Sequence, residues 1–120
     1  MAEKKLVIQI QLDLLLTPNK EKIIQEFIAF LSAIPLIDSR HINRGEENGL
    51  YINIELQSSM VEQLWKKIKS VILLNSNGFS VLSKGIVVVC EGDHGWNDYL
   101  QLYHYNKLEK IDSFDPGNAD

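Results

Sequence analysis

The stretch that decides the fold runs from Gly85 to Tyr105 and reads G-I-V-V-V-C-E-G-D-H-G-W-N-D-Y-L-Q-L-Y-H-Y. Its first part, Ile86 to Cys90, is an unbroken apolar run. A strand with one wet face alternates, so a continuous run predicts an interior strand, the most deeply buried of the chain. A glycine-bearing acidic loop, Gly92 to Asp98, then turns the chain into an aromatic strand from Tyr99 to Asn106.

Working outward, two further strands show clean alternation. Leu6, Ile8, Ile10, Leu12 and Leu14 fall on one face, with Val7, Gln9, Gln11 and Asp13 on the other. Leu50, Ile52, Ile54 and Leu56 alternate with Tyr51, Asn53, Glu55 and Gln57. A weaker strand over Ile37 to Asn43 is expected to pair with the latter as a hairpin, through the polar turn Arg44 to Gly49. Two amphipathic helices fill the gaps. Thr17-Pro18 supplies an N-cap and a first-turn proline for a helix from Pro18 to about Ala33, which Pro35 stops. Ser59 and Glu62 form a capping box for a second helix with the apolar stripe Val61, Leu64, Trp65, Ile68, Val71 and Ile72. Phe79 to Ser83 reads either as a short strand or as an irregular packing segment, and Ile111 with Phe114 either as a short edge strand or as a docked pair.

The order β-α-β-β-α-β-β predicts an α+β fold: a mostly antiparallel sheet with two helices on one face, on a ferredoxin-like β-α-β-β-α-β plan with an added C-terminal hairpin strand. Gln9, Gln11, Tyr51, Asn53, Tyr99, Gln101, Tyr103 and Tyr105 are then expected on the uncovered sheet face. At 120 residues the chain fits one domain, expected over 1–115, with a disordered tail at 116–120. Apolar residues at 45% and charged residues at 23% are an ordinary globular mixture. No apolar run is long enough for a membrane span, and the alternating N-terminal stretch does not read as a secretory leader. One cysteine excludes an internal disulfide and fits a reducing compartment, so a cytoplasmic location is expected.

A net charge of −4 argues against direct binding to nucleic acid, which needs clustered Lys and Arg. The charge is also unevenly placed. Residues 86–120 hold two Lys against seven acids, a net of −5, whereas residues 1–85 hold ten basic residues against nine acids, a net of +1. Acidity gathered around the deciding stretch suits a basic partner surface, although acidic loops also serve solubility alone.

Glu91, Asp93, His94 and Asp98 cluster within eight residues, yet E-G-D-H-G-W-N-D matches neither a calcium loop nor a helical His pair. Turn formation and solvated charge account for them better than a metal or acid–base site. Cys90 ends an apolar strand and behaves as a small hydrophobe. His41 and His104 lie on separate strands, with structural roles expected for both. Trp96 in a polar loop either folds back onto the core or stands out as an interface anchor.

The residues Gly85 to Tyr105 and the acid-rich segment after them, about the last third of the chain, resemble small bacterial proteins of the toxin-immunity type. Immunity partners of contact-dependent growth inhibition toxins are among them. The resemblance implies a single-domain, cytosolic protein without catalytic residues or cofactor that inhibits one cognate toxin, commonly a nuclease. Nuclease sites are basic because they hold phosphates, so an acidic surface can mask one. Glu91, Asp93, His94, Trp96 and Asp98 are the expected partner-binding residues, joined by Glu46 and Glu47. Two other readings stay open: a small ferredoxin-like enzyme or ligand-binding domain with its site at the 92–98 loop, and a homodimer formed through the uncovered sheet face.

Overall fold

The computed structural model describes residues 4–46, 49–73, 79–91 and 99–112. Its elements are β1 (Lys4–Gln11), α1 (Lys20–Ser32), β2 (Ser39–Glu46), β3 (Leu50–Ser58), α2 (Val61–Leu73), β4 (Ile86–Glu91) and β5 (Tyr99–His104), with 3-10 segments at Leu12–Leu14 and Phe79–Lys84. The five strands form one antiparallel sheet in the order β2-β3-β1-β4-β5. Because β1 and β2 both run against β3, they are parallel to each other with β3 between them. In the same way β3 and β4 are parallel with β1 between them. The α+β class and the two helices agree with the sequence.

The register sets the core. Leu56, Leu6 and Cys90 form one cross-strand row, Ile54, Ile8 and Val88 a second, and Ile52, Ile10 and Ile86 a third. All nine side chains are essentially inaccessible, each contributing at most about 1.5–3 kcal/mol of burial free energy. Ile24, Phe27 and Leu31 of α1 and Leu64, Trp65, Ile68 and Ile72 of α2 join the same cluster, so both helices cover one face. The ambiguous segment at Phe79–Lys84 is a packing element: Phe79 meets the Phe27 ring edge-on at 5.5 Å and Leu82 is fully buried.

Several boundaries move for identifiable reasons. β1 ends at Gln11 instead of continuing through Leu14. Leu12–Leu14 tighten into a 3-10 turn that buries Leu12 and Leu15 and leaves Leu14 39% exposed. α1 starts at Lys20 behind Asn19, which makes no side-chain cap bond; the first helical bond runs from the Ile23 N–H to the Asn19 carbonyl. At the entry to α2, Ser58 Oγ accepts the Met60 N–H at 2.9 Å and Asp38 Oδ2 accepts the Ser59 N–H at 3.2 Å, so residues outside the expected Ser59–Glu62 box satisfy these donors.

β2 runs through Gly45, which the sequence placed in the turn. Gly45 sits opposite Tyr51, and the Tyr51 ring lies where a Cβ on residue 45 would be. An aromatic laid over an edge-strand glycine supplies the packing that the glycine lacks, and the ladder therefore extends to Glu46.

β4 lies between β1 and β5, but β1 is the central strand of the sheet. The apolar run is not buried on both sides: Ile86, Val88 and Cys90 are buried while Val87 and Val89 are half-exposed. The expectation of a strand closed on both faces is thereby corrected. A bulge between Val88 and Val89 changes the parity of β5, so Leu102 and Tyr103 both turn toward the helices. Tyr103 was expected on the open face; instead its hydroxyl donates to the Ser83 carbonyl at 2.7 Å. After β5 the chain returns along the edge. The Asp112 N–H donates to the Gln101 carbonyl, and Asp112 Oδ2 accepts the Gln101 N–H, both at 2.8 Å.

Candidate functional site: the open sheet face

The sheet face away from the helices is built by the odd-numbered residues of β1 to β4 and, because of the bulge, by Tyr99, Gln101 and His104 of β5. No described element packs on it. Its middle is apolar: Val7 lies opposite Val89, and Val87 is the next face residue along β4. Glu55 and Gln9 border these valines on the β1–β3 side, and Gln101 and His104 on the β5 side. An apolar centre within a polar rim is the arrangement of protein–protein interfaces, where the centre is desolvated and the rim stays wet.

The rim is partly cross-linked. Lys5 Nζ lies 3.7 Å from Glu55 Oε1, Gln11 Nε2 donates to Gln9 Oε1 at 2.9 Å, and Ser39 Oγ donates to Gln57 Oε1 at 2.8 Å. Tyr99, 54% exposed, stands beside Glu91 at one end. Near the middle, Asn53 Oδ1 is shielded from solvent and has no hydrogen-bond partner among the described residues. It sits between Asn43 and Gln9, neither of which satisfies it.

Two of the expected partner-binding residues are described. Glu91 closes β4 on the open face, where Oε1 accepts the Lys5 backbone N–H at 2.6 Å. Glu46 closes β2 and shares its parity with Arg40 and Arg44, whose guanidinium groups reach the α1 Ile28 carbonyl and Glu21 carboxylate. It therefore belongs to the helix side. Glu46 is also at the far end of the sheet: β1 runs from Lys5, opposite Glu91, to Gln11, opposite Tyr51, roughly 20 Å at about 3.3 Å per residue. Glu46 and Glu91 are not brought together. Asp93, His94, Trp96, Asp98 and Glu47 lie outside the described residues.

His41 and His104 occupy opposite edge strands, about four strand spacings of ~4.8 Å apart. His104 Nδ1 accepts the Asn106 N–H at 3.0 Å, a structural use. Cys90 is fully buried in the core. Among the described residues no group of three His, Cys, Asp or Glu side chains could hold a metal ion. No described helix is long and apolar enough to cross a membrane.

The sequence missed Val7, Val87 and Val89. A signal for them existed, since Val7 is the one apolar member of the otherwise polar set Val7, Gln9, Gln11 and Asp13. A neighbouring strand had to place apolar residues beside it. Against known proteins the chain finds no counterpart: no family model, no curated protein and no solved structure matches it.

Proposed function

We propose that the chain is a toxin-immunity type binding protein, acting in the cytoplasm, that neutralises a cognate toxin by covering a basic active site, most simply that of a nuclease. The open sheet face, with Val7, Val87 and Val89 inside a polar rim, is the observation that supports a protein partner most directly. The strand order β2-β3-β1-β4-β5 supports a ferredoxin-like plan for β1 to β4 with their two helices, extended by β5 at the β4 edge.

Size and charge suggest how a partner sits. Five strands at ~4.8 Å by roughly 20 Å of strand length give a face of about 500 Å², whereas a stable interface takes about 800 Å² from each partner. The partner therefore extends past one end of the face. The acids of residues 86–120 favour the end that carries Glu91 and Tyr99, where Asp93, His94, Trp96 and Asp98 follow in sequence. Glu46 belongs to the other end and falls outside this surface. Acidic groups at the rim raise the rate of encounter with a basic site, and apolar anchors slow release.

The test is co-expression with the product of the neighbouring gene, followed by calorimetry of the purified pair. Growth arrest by that product, rescued by this chain, is expected. Val89→Asp at the centre of the face should weaken binding about 30-fold or more, the scale of an interface anchor. Asp93→Lys with Asp98→Lys should slow association and reduce its salt dependence. Unchanged affinity in both variants would sink the proposal.

A further inference from the structure

The two edges of the sheet are finished differently. At β5 the returning segment takes up the outward-facing Gln101 N–H and carbonyl through Asp112. At the other end β2 is an eight-residue edge strand, Ser39–Glu46, with no proline and no bulge in its ladder to β3. Proline, bulges, covering segments and outward charges are what normally protect such an edge from pairing. The two arginines of β2 do not stand out from it: Arg40 Nη1 donates to the Ile28 carbonyl at 3.5 Å and Arg44 Nη2 to Glu21 Oε1 at 3.3 Å, so both are drawn back onto α1.

The ladders fix which backbone groups of β2 point outward. The Lys5 and Gln11 N–H groups face the β4 side, donating to Glu91 Oε1 at 2.6 Å and to the Gly85 carbonyl at 2.7 Å. Bonding direction alternates along an unbulged antiparallel strand, so Leu6, Ile8 and Ile10 of β1 bond to Leu56, Ile54 and Ile52 of β3. The odd-numbered residues of β3 therefore bond to β2, and the Asp38 N–H on the Gln57 carbonyl at 2.8 Å agrees with this. Their partners are Ser39, His41, Asn43 and Gly45. The N–H and C=O groups of Arg40, Ile42, Arg44 and Glu46 are left pointing away from the sheet, and no described residue hydrogen-bonds to them.

We infer that β2 pairs antiparallel with β2 of a second copy of this chain, about a two-fold axis at Asn43, joining two five-stranded sheets into one. Charge selects this register. With the axis at Asn43, Arg40 of each copy faces Glu46 of the other, and Glu46 makes no ion pair among the described residues of its own chain. An axis at Ile42 would set Arg40 against Arg44, and one at Arg44 would set that arginine against itself; like charges directly opposite are destabilising. The favoured register also pairs all four outward residues, for about eight backbone bonds at two per facing pair. Even-numbered residues face even-numbered ones, so the helices of both copies stay on one side of the joined sheet. The contact occupies the edge and leaves the open face free, so it does not rest on the toxin reading.

Seven residues of ladder make a small interface, so the association is read at high chain concentration, up to about 1 mM. Sedimentation equilibrium of the full chain tests it, with the mass expected to rise from 13.7 kDa toward twice that value. Over the same range hydrogen exchange should slow at the Arg40, Ile42 and Arg44 amides, while those of His41 and Asn43, bonded to β3, are protected throughout. Arg44→Pro removes an N–H that the β3 ladder does not use and should abolish the dimer. Arg40→Glu and Glu46→Arg should each weaken self-association about fivefold or more, and an equimolar mixture of the two should restore it, because each variant then faces its complement. That mixture keeps the test intact if Arg44→Pro fails to fold. A chain that stays at 13.7 kDa throughout, or a dimer indifferent to the charge variants, would overturn the inference. A dimer that survives Arg44→Pro and is lost in Val89→Asp would place the contact on the open face instead.

Discussion

Replacing Asp112 with alanine probes how the β5 edge is closed. In the native chain Asp112 Oδ2 accepts the outward-facing Gln101 N–H at 2.8 Å, while its own N–H returns to the Gln101 carbonyl. The substitution leaves the Gln101 N–H with water as its only replacement and loosens the second bond along with it. A hydrogen bond to a charged acceptor contributes about 1.5–3 kcal/mol when desolvated. This one is half-buried, so solvent substitutes in part and a loss just under that range, ~1.4 kcal/mol, is expected locally. That corresponds to roughly tenfold faster exchange of the Gln101 amide. The nine-residue core formed by β1, β3 and β4 is untouched, so the amides of Ile8 and Ile54 should exchange as before. Asp112→Asn keeps an acceptor oxygen and should recover most of the protection. Hydrogen exchange read residue by residue decides the matter. Native protection at Gln101 in Asp112→Ala would show that the edge is not held by this side chain. An equal increase across all strands would show that Asp112 supports the whole fold and not its edge.

Three further expectations follow from the core and the open face. Phe27→Ala empties a fully buried site that contacts Phe30 and Phe79 and should cost about 3–5 kcal/mol in urea unfolding, while Phe27→Leu should cost under half of that. Gly45→Ala displaces the Tyr51 ring, so it should destabilise the wild type by ~1 kcal/mol or more and a Tyr51→Ala background much less. A double-mutant cycle with coupling below about 0.5 kcal/mol would contradict the packing of ring on glycine. Asn53→Val removes a shielded, unpartnered acceptor and adds a residue suited to a strand, so it should raise stability by about 1 kcal/mol in the same urea assay. A destabilised Asn53→Val variant would mean that the amide is satisfied in solution.

What the sequence made legible was what depends on period and local chemistry. The alternation in β1 and β3 and the apolar stripe of α2 identified the core residues that those elements supply, because one buried face forces one apolar set. Element ends were less legible where tertiary contacts decide them. Gly45 reads as a turn residue in isolation and becomes a strand residue only once Tyr51 is laid over it across the hairpin. Leu14 continues the period of β1, yet the chain tightens at Leu12 because Leu12 and Leu15 find the core first. On the site side, the run Ile86 to Cys90 announced a strand but not its two faces, since five apolar residues carry no alternation. The bulge that redirects Tyr103 has no mark in sequence at all; it follows from how β5 must fit Leu102 and Tyr103 under α2 and the 3-10 segment.

The open face depends on β5. Without it β4 would be an edge strand, and Val87 and Val89 would lie at the margin of the sheet. With β5 added, those valines move inward and acquire Gln101 and His104 as a second rim. The same strand, through its bulge, sends Leu102 to the helix side, and its Gln101 backbone anchors the returning segment. Strands β1, β3 and β4 and the two helices supply most of a core to which β5 contributes only Leu102 and Tyr103. Perturbation at β5 is therefore expected to separate stability from binding. It should alter the open face while the rows Leu56-Leu6-Cys90, Ile54-Ile8-Val88 and Ile52-Ile10-Ile86 remain closed.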